Sequence, residues 1–277
     1  MTQAAEAAGQ AGAGDIAVAE PPGAVPPSRR DRLRAATIEE IIGTARRLLV
    51  RSGPEAVSLR AIAREMGMTA PGLYRYFGSH EELIRHVIAS IFTELGEDIH
   101  RAIHTAVSPD GDSPDGDSPD LATVALTLKM IAACREFRRW ALNHEAEFAL
   151  LFGVPLPGID DKRHDIADEC AMVFAGTFFT LFFELWRRAP FAVAAPQEID
   201  AGLLAQLTRY RDALGVGADL PVGAVLTFLR CWTLLYGAVS MEVFGHMSFA
   251  LTDPAPMFEI TLGDLAALVG LQYPLPG

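Results

Sequence analysis

The sequence predicts an all-α protein, with a small three-helix unit near the N-terminus followed by a larger helical body. Three observations carry this. Apolar residues recur at three- and four-residue steps over long stretches, no stretch sustains two-residue alternation, and the breaks fall on glycine, proline or capping residues.

The elements follow in order. Residues 1–28 are mostly Ala, Gly and Pro, end in Pro26-Pro27-Ser28, and read as a disordered arm. From Arg29 a helical period begins, with Leu33, Ile38, Ile41, Ile42, Ala45, Leu48 and Leu49 on its apolar face; Gly53-Pro54 ends it. Ser58 caps a second helix through Met66, with Leu59, Ile62 and Ala63 inward. Gly67 breaks the chain, and Thr69 caps a third helix, Ala70 to Phe77. Ser79-His80-Glu81-Glu82 is a capping box opening a long helix to about His104. The tandem Asp110-Gly111-Asp112-Ser113-Pro114 and Asp115-Gly116-Asp117-Ser118-Pro119 places a flexible acidic linker at 105–120; it lacks the closing Glu of a calcium loop. Beyond it, helices are expected at 120–143, 144–152, 162–189, 198–214, 220–248 and 255–271. Pro155 to Gly158, Pro190, Pro196, Gly215, Gly217 and Asp253-Pro254 separate them. The domains expected are the arm 1–28, a unit at 29–85 and a body at 86–277.

Half of the 277 residues are apolar and the net charge is −12, which at first argues against a nucleic-acid partner. The distribution argues otherwise: residues 29–86 hold 11 Arg against 7 Asp or Glu, a balance of +4, leaving −12 − 4 = −16 elsewhere. A basic segment on an acidic body points to one end facing phosphates. No uninterrupted apolar run reaches the roughly 18 residues of a membrane span; the richest, Cys170 to Trp186, is broken by Gly176, Thr177, Thr180 and Glu184. With no basic-then-apolar start either, the expectation is a cytoplasmic protein with no membrane partner. Cys134, Cys170 and Cys231 lie far apart in apolar contexts and read as buried, reduced thiols.

Two short helices around a glycine turn, Ser58 to Phe77, have the layout of a helix-turn-helix. Leu59, Ile62, Ala63, Met66, Leu73 and Phe77 lock the pair inward, leaving Thr69, Ala70, Gly72, Tyr74, Arg75 and Tyr76 for a DNA major groove. Ala45 to Gly53, Val57-Ser58-Leu59-Arg60-Ala61-Ile62-Ala63, Met68 to Phe77 and Ser79 to Leu83 together resemble the TetR/AcrR family of bacterial repressors, over about residues 30–85. The resemblance implies DNA contacts by Ser58, Arg60, Thr69, Tyr74 and Tyr76, the last standing where His is frequent. His80 falls at a phosphate-contact position usually held by Lys, without its fixed charge.

Farther along, Trp140 to Phe148, Leu151 to Gly158, Trp232 to Glu242 and Phe244-Gly245-His246 resemble a family subset with a Trp-His-Gly-type C-terminal ligand domain; Tyr236 takes the His position. Phe174, Phe178, Phe182 and Trp186 recur at four-residue steps, a stripe that suits either core or pocket. Bulky rings with few polar tips line a mostly apolar small-molecule site. The set expected to hold the ligand is Phe92, Trp140, His144, Phe148, Phe152, Phe178, Phe182, Trp232 and Tyr236, and the ligand is an apolar or aromatic effector. The helix at 79–104, carrying Phe92, is expected to relay its binding to the DNA-binding unit.

A single recognition helix reads few base pairs, so a homodimer on a palindromic operator is expected. In the family the last two long helices pair with those of a second subunit; here the interface residues expected are Phe258, Leu262, Leu265, Leu268 and Val269. Enzymatic readings find no catalytic set. In His144-Glu145-Ala146-Glu147-Phe148, Phe148 stands where a zinc helix needs its second His, and Asp160-Asp161 with His164-Asp165 reads as a solvated loop. No cofactor or metal is implied. The expected function is a ligand-responsive repressor of operator DNA. The alternative is a helical ligand-binding or protein-interaction module without operator binding, which Arg60 and the recognition-helix tyrosines discriminate.

Overall fold

Ten α-helices and three short 3₁₀ turns make up the secondary structure of the computed structural model, which describes residues 28–106, 119–153, 166–271 and 273; no strand occurs among them. The arm to Pro27, most of the acidic linker, and Asp160, Asp161, His164 and Asp165 lie outside the described residues. By packing, the chain divides into a short unit ending at Glu39 and a large one from Glu40 onward. The expected boundary at 85/86 falls inside a continuous helix.

In the first unit, Ser28 and Asp31 cap one another: each side-chain oxygen accepts from the other's backbone N–H at 3.2 Å. This starts α1 (Arg29–Ser52), which runs on into the second unit with Ile41, Ala45, Leu48 and Leu49 buried. There follow α2 (Leu59–Glu65), α3 (Ala70–Leu73) and α4 (His80–Thr105). The body is built from α5 (Pro119–Asn143), α6 (Glu145–Phe152), α7 (Ile166–Arg188), α8 (Ala201–Ala213), α9 (Val222–Val243) and α10 (Ala255–Leu268). α4 packs along α5 and α7, α5 and α7 meet α9, and α10 lies on α9.

Three expected helices are shorter than the pattern suggested, each for a local reason. α3 stops at Leu73, and the chain continues to Phe77 in turns whose N–H groups reach back three or four residues. α9 stops at Val243, not 248, because Gly245 takes φ +66° and His246 N–H bonds back to the Met241 carbonyl at 2.8 Å. α10 ends the same way before Gly270, with Leu271 N–H on Ala266 at 2.9 Å.

The membrane criterion also needs correcting. Glu169–Arg188 and Val222–Val243 are each long and apolar enough on average to cross a bilayer, though neither is an uninterrupted run. Here both are walls of an aromatic interior, with Phe182, Leu185, Val225 and Val239 buried.

Candidate nucleic-acid interface and effector cavity

Each helix start from α2 to α4 is fixed by its own hydroxyl. Ser58 Oγ accepts from Ala61 N–H at 3.2 Å, Thr69 Oγ1 from Gly72 N–H at 3.3 Å, and Ser79 Oγ from Glu82 N–H at 3.1 Å. Glu82 reaches back to Gly78 N–H at 2.6 Å, one residue before the expected capping-box partner. Gly67 turns at φ +66°, and Met68 N–H closes the α2 end on the Ala63 carbonyl at 2.8 Å. A Cβ at Gly72 would sit 3.1 Å from Thr69 Oγ1, so the glycine keeps room for the cap. Leu59, Ile62, Ala63, Leu73 and Phe77 are buried, whereas Met66 is half-buried.

The expected contact residues divide by exposure. Arg60, Thr69, Tyr74 and Arg75 are exposed, Tyr74 at 52 %; Ser58, Ala70, Gly72 and Tyr76 are half-buried. His80 does something else. Its Nε2 lies 2.7 Å from the Val57 carbonyl, so that nitrogen carries the proton and ties the start of α4 to the residue before the Ser58 cap. The His80 ring is half-buried and at Nε2 is committed to protein, which removes that nitrogen from a role on phosphate.

The body encloses a cavity of about 70 Å³, with α5, α7, α9 and α10 as its walls. Of the expected ligand set, Phe178, Phe182 and Trp232 line it; Phe92, Trp140, His144, Phe148, Phe152 and Tyr236 do not. Four of them, Phe92, Phe148, Phe152 and Tyr236, belong to an adjoining ring cluster. Phe152 contacts Phe92, Phe137, Phe148, Phe174 and Tyr236 at ring separations of 5.0–6.0 Å. Tyr236 Oη donates to the Phe152 carbonyl at 2.6 Å, closing the end of α6 onto α9. Trp140 is fully buried, stacks on His144 at 4.8 Å, and its Nε1–H has no partner among the described residues. Trp232 joins the two regions: it lines the cavity and lies 5.8–6.2 Å from Phe137, Phe174, Phe178 and Tyr236.

Reading by aromatic density missed the other walls, which apart from Phe228 on α9 are mainly aliphatic or sulfur-bearing: Thr127, Ile131 and Cys134 on α5, Cys231 and Leu235 on α9, Leu262 and Leu265 on α10 and Val269 just after it. The signal was present as i, i+3/i+4 stripes on three helices, but periodicity cannot tell a cavity wall from solid core. The cysteines are free thiols and half-buried rather than fully buried. Removal from water pushes the Cys134 thiol up to about 12, with neighbouring Cys231 adding to it, and the Cys231 thiol to about 11. The cavity therefore presents neutral surface only.

The expected dimer residues also face inward. Phe258, Leu262, Leu265 and Val269 are buried within the protomer and Leu268 is half-buried. Arg138 holds this face: its Nε donates to Glu242 at 2.7 Å, and its guanidinium sits 5.2 Å from the Phe258 ring centre. The outward face carries Leu234 and Met241 on α9 and Met257 and Ile260 on α10, from 41 to 60 % exposed; Leu234, Gly237, Met241 and Met257 line a groove of about 240 Å³ there. A rotation of about 100° per residue separates position 257 or 260 from 258 or 262, which is why the apolar helix gave no sign of which stripe was inside.

A helix-turn-helix followed by a helical body with an internal cavity defines a class of DNA-binding regulator, and the comparisons narrow it. The family model for bacterial regulatory proteins of the tetR family matches residues 41–87, and that for the tetracyclin repressor-like C-terminal domain matches 130–265. The HTH-type transcriptional regulators Rv1816 of Mycobacterium tuberculosis and Mb1846 of Mycobacterium bovis are each 30 % identical over 234 residues, covering 83 % of this chain and 91 % of theirs. The crystal structure of the putative regulatory protein SCO4313 superposes with a TM-score of 0.61 at 26 % identity, over 87 % of this chain and all of that one. A Rhodococcus sp. RHA1 protein of unknown function shares the fold at 18 % identity and a TM-score of 0.54, over 84 % of this chain and 94 % of that one. The chain belongs to the TetR family of bacterial transcriptional regulators, a family of regulators and not of enzymes.

Proposed function

We propose that the protein is a homodimeric repressor that binds a palindromic operator in the cytoplasm and is released by an uncharged, apolar small molecule. The observation that carries this is the cap-locked α2–α3 pair presenting Arg60, Thr69, Tyr74 and Arg75 together outside a buried apolar seam. The Ser58 and Thr69 hydroxyls accept from the backbone, so each still has a proton to donate to a phosphate oxygen. Within this reading the arm 1–28 precedes a DNA-binding domain at 29–85, and 86–277, with the 105–120 linker inside it, forms the ligand and dimer domain. The body belongs with the Trp-His-Gly-type subset, Tyr236 replacing the His and spending its hydroxyl on α6 rather than on a ligand.

The effector site is the cavity at Phe178, Phe182 and Trp232. At about 70 Å³, against roughly 10–15 Å³ for one water, it admits few heavy atoms before a wall must move. A charged ligand there would lose its hydration with no opposite charge among the lining residues, so a neutral one is favoured. The second subunit covers the outward face at Leu234, Gly237, Met241, Met257 and Ile260. That contact replaces the inward set first expected.

The test is a titration of the full chain onto duplex DNA from upstream of its own gene. Tyr74→Phe and Arg60→Ala should weaken binding, Arg60→Ala also lowering the salt dependence by about one unit. Unchanged affinity and slope in both would leave the alternative, a ligand-binding module without operator binding.

A further inference from the structure

We infer that Arg46 and Glu147 are the positioning residues through which the effector cavity acts on the DNA-binding region. This rests on the ligand-responsive reading above.

Arg46 is on α1, in the three-helix region, and its guanidinium is divided between two other helices. Nε donates to Glu147 Oε1 on α6 at 2.6 Å, and Nη1 donates to Glu94 Oε2 on α4 at 2.7 Å. Glu147 is 3 % exposed. Burial alone pulls the Arg46 pKa down; the two carboxylates outweigh it and leave it above its ordinary value, so the group stays charged. His144 Nε2 lies 3.9 Å from the other Glu94 oxygen.

α6 is a suitable lever because it is short and held at both ends by the aromatic interior. Phe148 and Phe152, one turn apart, face Phe137, Phe174 and Phe92; Tyr236 holds its last carbonyl; His144, just before it, stacks on Trp140. Glu147 is next to Phe148 in sequence and points the other way, to α1. Trp232, touching both the cavity and this ring cluster, completes an unbroken series of contacts from ligand site to Arg46.

A buried ion pair is weak as a source of stability, since apolar residues of the same volume do as well. It is, however, sharply sensitive to position: hydrogen bonds at 2.6 and 2.7 Å fail within about 1 Å of displacement, whereas aliphatic packing tolerates sliding. A ligand that pushes Trp232 outward and shifts α6 therefore releases α1 in one step. Ala45, Leu48 and Leu49, buried around Arg46, carry the change into the three-helix unit.

The experiment measures coupling. N-phenyl-1-naphthylamine, neutral, apolar and too large to enter without moving a wall of the cavity, is titrated by fluorescence into the full chain with and without the upstream duplex; the ratio of the two affinities is the coupling factor. Linkage makes this factor the same for either ligand's effect on the other, commonly about 5–150-fold. Wild type should give a ratio of about 5 or more. The Arg46→Met/Glu147→Leu double variant, which keeps the volume and removes both charges, should bind probe and duplex within about threefold of wild type, with a ratio near 1. If it does not fold, Glu147→Gln keeps the shape and should lower the ratio at least twofold. A ratio that stays at the wild-type value in a folded variant overturns the inference alone, even if its melting temperature has changed. Wild type that binds no duplex, or binds duplex and probe independently, overturns the underlying reading and the inference with it.

Discussion

The segment from Ser58 to Phe77 and the ring cluster between α4, α5, α6, α7 and α9 hold their shapes by different means. The first is held locally: two hydroxyl caps, a left-handed glycine and a few buried aliphatics fix two helix starts within twenty residues of chain. Its outward side chains bear little on its stability. The second is held at long range, by rings from five helices and by a tyrosine that spans 84 residues to close a helix end. The helix-turn-helix can therefore change its outward residues freely, while the ring cluster cannot change one ring without disturbing the others.

Substitutions sharpen that contrast. Phe137→Ala should have the largest effect: the residue is fully buried against Phe148, Phe152, Phe174, Phe178 and Trp232. A loss of about 3–5 kcal/mol is expected, read as a large fall in denaturation midpoint. Tyr74→Phe, by contrast, should leave the midpoint unchanged while weakening operator binding. A Phe137→Ala cost below about 1 kcal/mol would show that the cluster is not a single packed unit.

The outward and inward stripes of α10 make a second pair. Ile260→Glu with Leu234→Arg should give folded monomers by sedimentation, because both sites face solvent in the protomer. Leu265→Glu should unfold the protein rather than merely dissociate it, because Leu265 lies inside. The reverse outcome would restore the interface first read from the sequence.

These cases show what was legible in the residues. Caps, glycine turns and helix order could be read because each depends on neighbours within a few positions: Ser58, Thr69, Ser79 and Gly67 act where they were expected to. The cavity and the interface depend on which stripe of an all-apolar helix faces which neighbour. α10 is apolar on both sides, so the pattern of Phe258, Leu262, Leu265 and Val269 does not announce that they are buried within the protomer. A ring that supports a cavity and one that lines it have the same pattern, so Phe92, Phe148 and Phe152 read like Phe178 and Trp232. The bond of His80 has no signature in the sequence because its partner, the Val57 carbonyl, is a backbone atom 23 residues away that no side-chain motif announces.

Two smaller effects follow. Thr69→Ala removes the α3 cap and should cost about 1 kcal/mol, with a greater loss of operator affinity than of stability if the hydroxyl also meets phosphate. In the cavity, thiols raised to about 12 and about 11 are almost wholly protonated at pH 8. Alkylation of Cys134 and Cys231 there should run at least about a hundredfold slower than of an ordinary thiol, rising with pH through that range, as peptide mass spectrometry would show. The weakest effect is at the protein surface. Arg135 and Tyr273 hold the Glu259 carboxyl below its ordinary range, so its contribution is present at neutral pH and lost as pH falls through the lowered value. Arg135→Ala should cost no more than about 1 kcal/mol, and only above that pH.

We propose that the chain reads DNA as a pair and that occupying the apolar cavity ends the reading. Sedimentation of the full chain with labelled upstream duplex, before and after N-phenyl-1-naphthylamine, measures both at once. The expected result is a complex of two chains, or a multiple of two, per duplex that dissociates as the probe saturates, and a Phe178→Trp cavity-filling variant whose complex resists it. One chain per duplex, or a complex equally stable with the probe bound, would contradict it.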